Sequence, residues 1–79
     1  MIALDLETTG RNPYRHCLLS IGALDFDNPE NQFYQECRMD KDAEIDNESL
    51  AVNGFSIKQI QDQDKQTAKE LLSNFPLSP

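Results

Sequence analysis

The chain has no tryptophan, one histidine, two cysteines and no long apolar run. Each scarcity excludes something. A transmembrane helix needs about 20 consecutive apolar residues, so no membrane span is expected. Two cysteines do not make a disulfide scaffold. The first residues lack the basic, apolar character of a signal segment. Together these point to a soluble, cytoplasmic protein in a reducing compartment. Basic residues are also few, with 7 Lys+Arg against 14 Asp+Glu and a net charge of −7. That argues against binding nucleic acid through a broad basic surface. It does not argue against a nuclease that works through bound cations, because such ions reverse the local sign of charge. At 79 residues the chain has room for one small domain with a modest core.

What is present concentrates at the start. Asp5-Leu6-Glu7-Thr8-Thr9-Gly10 places two carboxylates two residues apart on an apolar stretch. In a strand, residues i and i+2 share a face, so Asp5 and Glu7 project together and Ile2, Leu4 and Leu6 project oppositely. A strand buried on both faces cannot keep two ionised carboxylates uncompensated. Divalent cations with oxygen ligands are the natural compensation, and they are also the apparatus of phosphodiester hydrolysis. Other i,i+2 acid pairs, such as Asp40/Asp42 and Asp62/Asp64, lack this apolar strand context.

Residues 1–7 read as a strand, and 8–16 as a loop broken by Gly10, Asn12 and Pro13. Residues 17–27 read as a central strand, apolar on both faces in its middle. Asn28-Pro29-Glu30-Asn31 is a turn. Residues 32–39 alternate, so strands two and three are expected to form a hairpin with a four-residue loop. Paired positions then sum to about 59, and Cys37 faces Gly22. In that register Cys17 lies about 16–17 Å from Cys37's partner along the strand. That is beyond disulfide reach, so both cysteines are expected to be reduced and packed. Residues 40–47 form an acidic connection. Residues 48–53 form a short helix with Asp46 or Asn47 as N-cap and Gly54 as terminator. Ser56 caps a turn at 57–61. Thr67-Ala68-Lys69-Glu70 is a capping box that starts a last helix with a Leu71, Leu72 and Phe75 stripe, stopped by Pro76 and Pro79.

At this point the residues resemble a known family. Asp5-x-Glu7-Thr8-Thr9-Gly10 is similar to the first motif of the DEDD superfamily of 3′–5′ exonucleases, the DnaQ-like or proofreading type. Leu19-Ser20-Ile21-Gly22-Ala23 resembles that family's second strand. Leu50-Ala51-Val52-Asn53-Gly54-Phe55-Ser56 resembles the segment after its third. The resemblance implies an α/β, ribonuclease H-like fold, truncated here to three antiparallel strands followed by short helices. It implies removal of nucleotides from the 3′ end of DNA or RNA with two Mg²⁺ or Mn²⁺ ions. Asp5 would bridge both metals and Glu7 would bind one. Thr8 and Thr9 would lie beside the terminal nucleotide. Asn53, Gly54 and Phe55 would line its pocket, with Phe55 offering a stacking face.

The family's later motifs supply a third carboxylate, a general-base His or Tyr and a fourth carboxylate. None is found here. His16 lies in the loop after the first strand, and Asp62, Asp64 and Glu70 come too early. Residues 1–79 are therefore expected to be the N-terminal portion of one exonuclease domain, with negligible activity alone. The competing expectation is a non-enzymatic module that pairs its open sheet edge with a partner or a second copy. Arg11 and Arg15 read as ordinary loop charges, and His16 as a solvated loop residue. The alternating acids of 40–48 do not form a calcium loop, because Ile45 and Ala51 occupy the positions that need Gly and Glu.

Overall fold

Three strands form because three stretches alternate or run apolar between breakers, and they pair in chain order. In the computed structural model, which describes residues 1–75, β1 spans Ile2–Thr8, β2 Leu18–Asp25 and β3 Gln32–Glu36. The sheet order is β1-β2-β3, all antiparallel, with β2 central as its apolar composition requires. Three short helices follow: α1 at Asn47–Asn53, α2 at Ile57–Ile60 and α3 at Ala68–Asn74. The architecture is three antiparallel strands followed by short helices, as expected at the start of a ribonuclease H-like α/β fold. Among the described residues, no helix is long and apolar enough to cross a membrane.

The helix ends follow side-chain chemistry. Asp46 caps α1 by accepting from the Glu48 N–H, and Gly54 ends it at φ 81°, a conformation open to glycine. Ser56 and Gln59 form a capping box on α2, and Thr67 and Glu70 form one on α3. The helices bury few residues, but those completely. Leu19 packs with Leu50 and Ile60, while Ile21 packs with Cys37 and Leu71. Leu19, Ile60 and Leu71 are 0% exposed, and burying each side chain contributes about 1.5–3 kcal/mol. Phe75 meets Phe33 edge-on at 5.0 Å.

Three expectations are corrected. The β2–β3 register pairs Ser20 with Glu36 and Gly22 with Tyr34, so Cys37 is level with Leu19 rather than Gly22. The reason is a longer connection. Asn31 O accepts from the Asp25 N–H and Asp25 O from the Asn28 N–H, so two turns replace the single four-residue loop. Cys37 thus comes level with a residue two positions from Cys17 rather than five. Both are nonetheless free and buried. Burial raises the Cys17 pKa and pushes that of Cys37 up to about 11, which keeps both as thiols at neutral pH. Second, β1 is not buried on both faces, because Ile2, Leu4 and Leu6 are 56–62% exposed. Third, Leu72 does not belong to the packed stripe of α3; it is exposed, while Leu71 and Phe75 pack. The stops at Pro76 and Pro79 lie outside the described residues.

Candidate active site

Cross-strand partners share a face, so the register sorts the sheet into two surfaces. Leu4, Ala23 and Phe33 lie in one row, with Leu6, Ile21 and Gln35 beside it, on the side that α3 covers. Asp5, Gly22 and Tyr34 form a row on the other side, and Glu7, Ser20 and Glu36 the next. Asp5 and Glu7 therefore do project together, opposite Ile2, Leu4 and Leu6. Gly22 opens the space between neighbours. A Cβ built there would meet Tyr34 Cδ1 at 3.7 Å and Asp5 Cβ at 3.9 Å. Asp5 is exposed and Glu7 half-buried.

The acids of the chain divide by employment. Glu36 accepts from Tyr34 Oη at 2.7 Å and pairs with Lys65 Nζ at 2.7 Å. Those partners lower its pKa, Lys65 most, and Glu36 in turn raises that of Tyr34 by holding the phenol proton. Asp46 caps α1 and also accepts from Ser49 Oγ at 3.2 Å. Glu70 closes its capping box through Thr67, which lowers its pKa. Asp5 and Glu7 have no hydrogen-bond or ion-pair partner among the described residues. Two adjacent carboxylates with their oxygens uncommitted are a hard-donor set, and they fit part of the coordination shell of a divalent cation. They fit only part of it, because no three His, Cys, Asp or Glu side chains converge on a metal position among the described residues.

Beside Glu7 the end of β1 meets α1 across an open cleft of about 290 Å³, lined by Glu7, Thr8, Arg11, Ser49, Val52 and Asn53 among others. Its two walls are bonded at their base. Asn53 Nδ2 donates to Thr8 O at 3.1 Å, Thr9 Oγ1 to Glu44 O at 2.7 Å, and the Asp46 N–H to Thr9 O at 2.7 Å. Thr9 is 0% exposed, and its hydroxyl also accepts from the Cys17 N–H at 3.1 Å. Its side chain is therefore joinery beneath the cleft. Thr8 Oγ1 donates to Gly10 O at 2.6 Å. Gly54 spends its N–H on Leu50 O as the helix cap. Phe55 packs on the Leu19 cluster, and Lys65 Nζ stands 5.5 Å from its ring centroid. One face of the Phe55 ring is therefore already occupied by a cation.

Sequence reasoning singled out Glu7, Thr8 and Asn53, which the structure brings to one cleft, and Asp5, which stands next along the strand. It did not single out Ser49 and Val52. Their spacing with Asn53, i, i+3 and i+4, is the signal that puts them on one helix face. Arg11, read as a loop charge, also lines the cleft. Arg15 instead pairs with Glu44 at 3.7 Å. His16 is not a solvated residue: its ring is half-buried against Gly10.

A family model described as "Exonuclease", RNase_T, matches residues 2–76. No curated protein matches the chain.

Proposed function

The chain belongs to the RNase_T exonuclease family, and from that premise we propose that its residues form the first half of a metal-dependent 3′–5′ exonuclease site acting on nucleic-acid 3′ ends. The observation that carries this reading is the pair Asp5 and Glu7, side by side on one sheet face, uncommitted, and next to the cleft at the end of β1. Divalent cations, Mg²⁺ or Mn²⁺, held there would supply Lewis acidity towards a phosphodiester and towards the water that attacks it. Asp5 and Glu7 would supply the oxygens that hold them. Asn53, fixed by its bond to the Thr8 carbonyl, would position the terminal nucleotide with Thr8. Thr9, Gly54 and Phe55 would support that pocket from behind.

Two carboxylates do not complete such a shell. On our reading, residues 1–79 are the N-terminal portion of a single exonuclease domain, and the remaining carboxylates and the general base lie elsewhere in that domain. This chain alone would then bind Mn²⁺ weakly and cleave negligibly. Paramagnetic broadening of backbone amides by Mn²⁺ should centre on residues 5–8 and vanish in Asp5→Asn/Glu7→Gln; broadening centred elsewhere sinks the site. Release of nucleotides from a 3′-labelled single strand should stay at background. Robust release that Asp5→Ala abolishes would show instead that the chain is a complete enzyme.

One feature favours a second reading. β1 is a sheet edge with Ile2, Leu4 and Leu6 all more than half exposed, as suits a module that pairs with a second copy. A cooperative dimer indifferent to Asp5→Asn and Glu7→Gln would favour it over the nuclease.

A further inference from the structure

Among the described residues, Arg11 is the one cation lining a cleft whose other charged walls, Glu7, Asp46 and Glu48, are acids. Its guanidinium has no ion pair or hydrogen bond among the described residues, unlike Arg15, which pairs with Glu44, and Arg38, which donates to Lys65 O at 2.6 Å. The backbone on either side of Arg11 is held by one side chain. A Cβ built on buried Gly10 would collide with the His16 ring, with Cδ2 and Cε1 at 2.5 Å. The Asn12 N–H donates to His16 Nδ1 at 3.0 Å, and the His16 N–H returns to Asn12 O at 2.8 Å. Asn12 Oδ1 in turn accepts from the Tyr14 N–H at 2.9 Å. Residue 11 thus lies between two residues that His16 contacts, with its own side chain unpartnered among the described residues.

We propose that Arg11 binds a phosphate of the nucleic-acid strand lying in the cleft, and that His16 is the positioning residue that aims it. A guanidinium offers a planar fork that matches two phosphate oxygens. A strand drawn to a cleft walled by acids needs a cation at the point where a phosphate passes. The glycine at position 10 belongs to the same device, since only its missing side chain lets the imidazole lie on the turn. This inference rests on the exonuclease reading of the cleft.

Fluorescence anisotropy of a labelled single-stranded oligothymidylate, with the full chain in Mg²⁺ at several salt concentrations, tests it. Arg11→Ala should weaken binding about tenfold and lower the slope of log K against log salt by about 0.7, one single-strand phosphate contact. His16→Ala should weaken binding comparably. His16→Asn, whose carboxamide oxygen can accept from the Asn12 N–H, should restore most of it. Gly10→Ala, which displaces the ring, should match His16→Ala, and Tyr14→Ala, at a side chain 97% exposed in the same loop, should change nothing. The Arg11→Ala/His16→Ala double variant should bind no more weakly than Arg11→Ala, because both act through one contact. Binding that depends on Asn53 and Asp5 but keeps its affinity and salt slope in Arg11→Ala overturns this inference alone, as does full additivity of the two variants. Absence of oligonucleotide binding by the unmodified chain overturns it together with the reading it rests on.

Discussion

β1 and β2 are hydrogen-bonded neighbours of similar length and apolar content, yet they occupy opposite conditions. β2 has Leu19, Ser20 and Ile21 all at 3% exposure or less. β1 carries Ile2, Leu4 and Leu6 open on one face and Asp5 open on the other. The contrast extends to polar groups. Around β2 and β3, Glu36 has Tyr34 and Lys65, and Arg38 holds two carbonyls. On β1, Asp5 and Glu7 hold nothing among the described residues. Packing and capping account for the residues of the β2, β3 and helix block. They leave the side chains of β1 unexplained, and unexplained polar groups are where a function is to be sought.

The sharpest way to break this comparison is to cut into each strand. Leu19→Ala removes a completely buried side chain and should cost about 2–5 kcal/mol, much of the stability of a small domain. Leu4→Ala, at a position 56% exposed, should change stability by less than about 0.5 kcal/mol. Urea unfolding midpoints distinguish them, and equal effects would mean that β1 is packed in solution. A smaller effect concerns Glu36. Its folded pKa is lowered by Lys65 first and Tyr34 second. The stability it contributes is therefore complete above the ordinary carboxyl value of 4.5 and is lost as pH falls through the lower folded value. For a partly exposed pair that contribution is about 1 kcal/mol or less. Glu36→Gln should remove it, so the difference from the unmodified chain should shrink on acidification. Smallest of all, Asp5→Asn with Glu7→Gln should leave the metal-free unfolding midpoint unchanged within about 0.5 kcal/mol, because neither carboxylate has a partner to lose. A large loss there would assign the pair a structural role.

The difference between the regions also marks what could be read from residues alone. The caps were legible, because Asp46, Ser56 and Thr67 act on amides two or three residues away and Gly54 supplies its own left-handed φ. The shared face of Asp5 and Glu7 was legible for the same local reason, the two-residue period of a strand. The β2–β3 register was not. It depends on where the turn begins, and Asp25 shortens β2 by accepting from the Asp27 N–H at 3.0 Å. The exposure of β1 was hidden too, because an apolar sequence states what a strand can bury and not what stands against it. Thr9 and His16 act on atoms brought close only by the folded loop, Thr9 on Glu44 across 35 positions and His16 on Gly10. No motif spacing encodes those contacts.

The bonds at the foot of the cleft have a consequence for what it can accept. Thr8, Thr9, Glu44, Asp46 and Asn53 join its two walls through three hydrogen bonds. The foot of the cleft therefore cannot spread without breaking these bonds. The foot of the cleft thus has its shape before any ligand arrives. The entropy of ordering the walls is spent when the chain folds and is not charged again when something binds. Selectivity here then rests on the shape of the foot presented in advance, with side-chain adjustment left to wall residues such as Glu7, Arg11, Glu48 and Val52.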